Sequence, residues 1–417
     1  MTTVAYIALW LFCFAVPWEN IIVIPGLGTI SKLFGIVAMG VAVLAALSSA
    51  RVRRIQPFHA VALLFVMWAG LGAFYVTDEA RGLNKFGTYF QLFLVLWMIW
   101  ELAGTPKRQL GLLFAYVCGA IVAATNTIMV YRSLLGSDKY VRRFSAEGFD
   151  PNDLGMTLAL ALPMAWYLGM TYRQPIMRWL CRGYLPLGLV AIGLTGSRGA
   201  LLASIVALLI VPLSVTQLSR AKVGGAIVLL LLSVVVAVAF IPTASWDRFA
   251  TTGSEVAAGN MNNRMAIWRA GFRAFTERPI VGYGTSGFNW TVHSESHNAY
   301  LAVLVENGLI GLALYMSMFL ALFIKLLGLP TLERRFTLVL LATLGVALLP
   351  LGWEDRKPVW FVLGTVAAFT QGHLAAMAGA AWQQVARRPA SSGRGAQRRP
   401  RMPLGAPVRN ADRGPRT

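Results

Sequence analysis

Apolar runs of about 20 residues, parted by charged connections, recur along this chain. A run of about 20 crosses the hydrocarbon core of a bilayer as a helix, because a helix satisfies its own backbone hydrogen bonds where water is absent. The runs fall at about 3–18, 29–49, 58–76, 85–103, 109–131, 153–172, 184–195, 200–217, 223–241, 298–324, 336–351 and 359–380. They predict an all-α polytopic membrane protein of about 12 transmembrane helices. The seventh and eighth runs are short and parted only by Thr195-Gly196-Ser197-Arg198-Gly199. Two tilted helices or one interrupted span both fit there, so eleven is the alternative count. Composition argues against a soluble fold: 13% of residues are charged and the mean hydropathy is +0.62, whereas soluble domains carry about a quarter charged residues. The first run, Val4 to Trp18, lacks a basic leader and a clear small-residue cleavage site, and reads as a membrane helix rather than a signal peptide. Glycines such as Gly35, Gly40, Gly224 and Gly225 suggest close helix packing.

Charged connections predict the orientation. Alternate turns carry Arg51/Arg53/Arg54, Lys107/Arg108, Arg173/Arg178/Arg182, Arg220/Lys222 and Lys325/Arg334/Arg335. By the positive-inside rule these lie in the cytoplasm, with both termini. The expected layout is 1–241 with nine helices and short loops, 242–297 as an outer loop holding an amphipathic helix, 298–381 with three helices, and 382–417 as a tail. The tail has nine arginines and one acid, Asp412, and is too polar to pack, so disorder and contact with anionic membrane lipid are expected.

The opposite connections ought to be poor in Lys and Arg, and they are not. Segment 132–152 carries Arg132, Lys139, Arg142 and Arg143; segment 242–297 carries Arg248, Arg264, Arg269, Arg273 and Arg278; the turn at 352–358 carries Arg356 and Lys357. Long loops translocate with little regard to charge, but short ones do not. An anionic ligand at the outer face is the simplest demand that keeps cations there.

Other chemistries find little support. Cys13, Cys118 and Cys181 are scattered, as are His59, His293, His297 and His373, and no HExxH completes a zinc site. No protein-held catalytic metal and no cofactor are expected. Nothing resembles a GxGxxG or P-loop nucleotide site, and nucleic acid is not an expected partner.

Three residues stand out. Within NMNNRMAIWRAGFRAFTERPIVGYGTSGF (260–288), Asn262 or Asn263 can cap a helix whose apolar positions include Met265, Trp268, Phe272 and Phe275 and which Pro279 ends. Arg264 falls in its first turn, where the helix dipole disfavours a cation and an anion would be welcome. Arg198, between two apolar runs, is either a snorkelling anchor or a fork of N–H donors for phosphate oxygens. His297 stands before the tenth run, as a cap or surface residue, or as a general base for a hydroxyl at the membrane surface. Glu306, about two and a half turns deeper, cannot orient His297 and is expected to pair with another helix.

Taken together, FDPNDLGMTLALALP (149–163), TGSRGALLA (195–203), NNRMAIWRAGFRAF (262–275), PIVGYGTSGF (279–288) and HNAYLAVLVENGLIGL (297–312) resemble the O-antigen ligase family. That family comprises lipopolysaccharide ligases, O-antigen polymerases and O-linked protein oligosaccharyltransferases. The resemblance implies a metal-independent, inverting glycosyltransferase of the GT-C type in the bacterial inner membrane. It implies transfer of a glycan from undecaprenyl pyrophosphate to a sugar hydroxyl of lipid A–core at the periplasmic face. Arg198 and Arg264 then bind the donor pyrophosphate and His297 is catalytic. Secondary candidates are Arg142, Arg143, Arg269, Asn298, and the last-loop acids Glu354 and Asp355. The alternatives are an O-antigen polymerase, a protein oligosaccharyltransferase, a lipid-linked glycan transporter or a noncatalytic scaffold. A proton- or ion-driven transporter would usually place acids inside the membrane.

Overall fold

The computed structural model describes residues 1–49, 52–135, 143–217, 219–251, 253–254 and 263–387. Each apolar run coincides with helix. The first six are α1 (Thr2–Ala15), α2 (Ile30–Ser49), α3 (Pro57–Ala73), α4 (Glu79–Leu102), α5 (Pro106–Leu134) and α6 (Pro151–Thr171). A two-stranded antiparallel hairpin, β1 (Val23–Ile24) and β2 (Gly28–Thr29), joins α1 to α2 with Val23 opposite Thr29.

Next come α7 (Pro175–Thr195), α8 (Arg198–Leu208), α9 (Ile210–Ser214) and α10 (Arg220–Phe240). The ambiguity between the seventh and eighth runs resolves into two helices. Gly196, at φ 55°, ends α7 in the left-handed conformation that glycine adopts without a Cβ clash, and the Ser197 side chain accepts from Ala200 N–H to start α8. Then follow α11 (Thr243–Ala250), α12 (Arg264–Glu277), α13 (Gly287–Val292), α14 (Ala299–Leu326), α15 (Thr331–Ala347) and α16 (Lys357–Arg387).

Among the described residues, six helices are long and apolar enough to cross a membrane: α2, α5, α6, Val223–Phe240 of α10, α14, and Lys357–Gly379 of α16. Three shorter apolar helical stretches are Thr2–Trp18, Pro57–Ala73 and Arg198–Ser214. The chain is therefore an all-α, multi-pass membrane protein. Its outer surfaces agree, since large apolar side chains such as Leu44 and Leu47 on α2, and Val228, Leu231 and Val235 on α10, stand exposed where water would penalise them and lipid does not.

Helix α6 is the axis of the bundle. Every residue from Leu154 to Gly169 is buried, with α5, α7, α8 and α15 around it. The approach of α8 is close at Gly155, where an added Cβ would come within 2.6 Å of Ala200 Cβ. In contrast, Gly40, Gly224 and Gly225 face open space. The expectation that they mark tight packing is corrected, since a helix on the lipid-facing surface has no neighbour at those positions. Stacked rings of Tyr116 with Phe361 and of Tyr167 with Phe336 tie α5 to α16 and α6 to α15.

The chain divides into two compact units, Met1–Ala375 and Ala376–Thr417. Of the expected tail, 388–417 lies outside the described residues, as do Arg51, Asn262 and Arg142.

One deformation matters for function. Helix α14 breaks at Gly308, at φ 65° and ψ −167°. Into the break comes the PIVGYG segment: Tyr283 N–H donates to Val305 O, Gly284 N–H to Glu306 O, and Leu309 N–H to Pro279 O. Gly282 lies so close that a Cβ would meet Glu306 O at 2.5 Å. The glycines of PIVGYG and the Asn-Gly of VENGL therefore fit one another, and the backbone groups released by the kink are satisfied by the loop rather than left bare.

Candidate functional site

The N-termini of α6, α8, α14 and α16 meet the C-terminus of α7 at one end of the bundle. Basic side chains of the other connections gather at the opposite end, where Arg53 donates to Trp100 O, Lys325 to Gln56 and Arg335 to Thr216.

The first end holds a guanidinium cluster. Arg143 donates through Nε to Thr195 O (2.9 Å) and through Nη2 to Asn152 Oδ1 (2.7 Å). Arg198, the first residue of α8, donates through Nε to Arg248 O (2.8 Å) and through Nη2 to Thr251 Oγ1 (2.8 Å). Arg248 in turn donates through Nε to Gly196 O (3.2 Å). Asp150 caps α6, accepting from Asn152 and Asp153 N–H, and puts one negative charge beside these cations.

Helix α12 delivers Arg264. Its inner face, including Ala274 with Ile267, Trp268 and Phe275, packs with Phe288, Leu301 and Val305 of α13 and α14, while Phe272 stays exposed. Asn263 precedes it at φ 65°, a left-handed conformation that asparagine tolerates. Burial holds the Arg264 guanidinium below its ordinary range, with Asp150 opposing and Arg198 adding to the shift. Arg143 is lowered too, first by burial and then by Arg248, with Asp150 opposing and Arg264 adding. Cations that are partly desolvated and crowd one another favour a multivalent anion.

His297 stands beside this cluster. Burial, then the Arg264 cation, lower its pKa below the ordinary 6.5, against the pull of Glu295, Asp150 and Asp153. At neutral pH the imidazole is uncharged and can accept a proton. Its backbone is in the left-handed region, φ 45°, and its neighbours fix it there. Trp268 Nε1 donates to Ser296 O (3.1 Å), Asn298 Oδ1 accepts from Leu301 N–H (3.1 Å), and Ala299 N–H donates to Leu348 O (3.0 Å). Such pinning preorganises a side chain. Asn298 is thus a helix cap.

A second polar region lies next to it. Lys85 Nζ on α4 donates to Glu306 Oε2 and to Glu354 Oε1, both at 2.8 Å, joining three segments far apart in sequence. Glu306 therefore does pair with another helix. Burial pushes the Glu354 carboxyl up to about 7, Lys85 opposing. These groups line a cavity of about 370 Å³ together with Glu295, Ser296 and Asp355.

Arg269 and Arg278 are exposed on or just after α12, and Arg278 stacks on the Tyr283 ring. Sequence reasoning did not single out Lys85, Arg248 or Asp153, whose Oδ1 accepts from Trp353 Nε1 (3.0 Å). A lysine at the head of an apolar run was itself a signal for Lys85; the other two become visible only once α11 and the last loop fold onto α6. Among the described residues no group of His, Cys, Asp and Glu is placed to hold a metal ion.

A family model described as O-antigen ligase matches residues 184–316, roughly a third of the chain, including Arg198, Arg248, Arg264 and His297. The match supports an O-antigen ligase family assignment, in agreement with the resemblance read from the motifs. No curated protein matches the chain in sequence.

Proposed function

We propose that the chain is a glycosyltransferase that moves a glycan from undecaprenyl pyrophosphate to a sugar hydroxyl of lipid A–core, at the periplasmic end of a GT-C-type bundle of about twelve spans. The observation that carries this reading is the juxtaposition of Arg198, Arg264 and a lowered-pKa His297 at one end of the bundle. It is strengthened by the family match over the same residues.

The acceptor hydroxyl oxygen attacks the anomeric carbon from the face opposite the pyrophosphate, giving inversion. The new C–O bond forms as the bond to phosphate breaks, and its electron pair passes to the leaving pyrophosphate oxygen. Arg198 and Arg264 meet that charge with paired N–H donors, Arg143 and Arg248 adding to the field. His297 takes the hydroxyl proton. Among the secondary candidates, Arg143 belongs to this cluster, while Glu354 and Asp355 belong to the neighbouring cavity.

Incubating the purified protein with carrier-linked glycan and lipid A–core tests the reading by the mass of the product. A glycosylated lipid A–core is expected. Transfer only onto a second carrier-linked glycan would replace this reading with a polymerase, and movement of the carrier across a vesicle without bond change would replace it with a transporter.

A further inference from the structure

The cavity beside His297 is chemically unlike the arginine cluster. Its charged lining sets Arg81, Lys85 and Arg356 against Glu295, Glu306, Glu354 and Asp355. That balance gives no net attraction for phosphate, and the exposed amides of Asn84 and Asn289 add donors and acceptors for hydroxyl groups. Its volume, about 370 Å³, is in the range of small-molecule sites, roughly 300–1,000 Å³.

One lining group lacks its partner. Glu354 is 3% exposed, and while Oε1 accepts from Lys85, Oε2 has no hydrogen-bond partner among the described residues. An unsatisfied buried carboxylate oxygen is costly, and a donor placed against it is correspondingly favoured. The cavity also touches the reacting centre. Ser296 and Glu295 in its wall directly precede His297, and Arg356 in the same wall lies 4.0 Å from Asp153, one of the carboxylates facing His297.

We infer that this cavity is the acceptor subsite: it holds a hydroxyl-rich, phosphate-free sugar ring beside His297, on a floor fixed by the Lys85–Glu306–Glu354 bridge. This rests on the transfer reading above and adds where, and to which kind of group, the acceptor binds. The anion is left to the arginines, and the two substrates approach the imidazole from different sides.

The test uses the full-length protein in lipid nanodiscs, with Asn84→Leu and Asn289→Ala combined. Both side chains are exposed, so the variant should keep the wild-type thermal midpoint. Loss of a few sugar hydrogen bonds should raise the lipid A–core concentration for half-maximal rate about tenfold, with the donor dependence unchanged. An unchanged acceptor dependence, or an equal shift in both substrates, overturns the subsite. If wild-type protein transfers nothing to lipid A–core, the transfer reading fails. The subsite is then judged by direct binding of delipidated core oligosaccharide. Binding about tenfold weaker to the variant supports it, and equal binding, or none to wild type, overturns it.

Discussion

The arginine cluster and the lysine–carboxylate cavity sit side by side, yet they handle charge in opposite ways. In the first, Arg143, Arg198, Arg248 and Arg264 come together, and burial and mutual repulsion depress the guanidiniums Arg143 and Arg264 against the pull of Asp150. In the second, one cation, Lys85, lies 2.8 Å from each of two carboxylates. A region that balances its own charge has little pull on an added anion. A region where guanidiniums such as Arg143 and Arg264 crowd one another favours an added anion. The proposed division gives anion chemistry to the arginines and scaffolding with sugar contacts to the cavity, and it can be broken at either side.

The largest effect should come at the seam between them. His297→Ala should lower transfer by about 10²–10⁴-fold, the range for a lost general base, at unchanged protein level. His293→Ala, at an exposed position, should be much milder. Comparable transfer by H297A would remove the base from the scheme.

Next comes the cluster itself. Arg264→Lys conserves charge but loses the paired donors, and should cost on the order of 10²-fold in turnover. Arg198→Ala should cost more than Arg278→Ala, whose guanidinium is exposed. Equal losses at 198 and 278 would reduce the cluster to general surface charge.

Lys85→Met asks whether the cavity is scaffold. Removing the cation strands Glu306 and Glu354 as buried carboxylates, a loss of roughly 3–5 kcal/mol in stability for a broken buried pair. It should appear as a lowered thermal midpoint, while inorganic pyrophosphate should still compete with donor. Loss of that competition in a folded K85M protein would show that the two regions are not separate.

The smallest effect is a matter of pH. The imidazole of His297 is lowered from 6.5, so the active neutral form survives below that value, and turnover should fall only as pH drops through the depressed pKa. The acid limb of the rate profile therefore has its midpoint below 6.5. The carboxyl of Glu354, raised to about 7, would instead place it near 7. Glu354→Gln should leave the limb where it is.

The helices were legible because span length and hydropathy are properties of single segments: every apolar run coincides with helix in the structure. Arg198, Arg264 and His297 were legible as candidates because each breaks a local rule, as a charge or an imidazole at the head of a helix. The Lys85 bridge was not, since Lys85, Glu306 and Glu354 lie on segments more than 200 residues apart at their extremes and only packing brings them together. Gly40 and Gly224 misled for a related reason, because a small residue permits a close neighbour without supplying one.

The most direct test of the central claim is a transfer assay with carrier-linked glycan and lipid A–core in excess EDTA, comparing wild type with R264K. If fixed guanidiniums meet the leaving pyrophosphate, wild-type transfer continues under chelation and R264K stays low with or without added Mg²⁺. If chelation stops wild-type transfer and Mg²⁺ restores it, the charge is met by a metal ion, and the arginine account is contradicted.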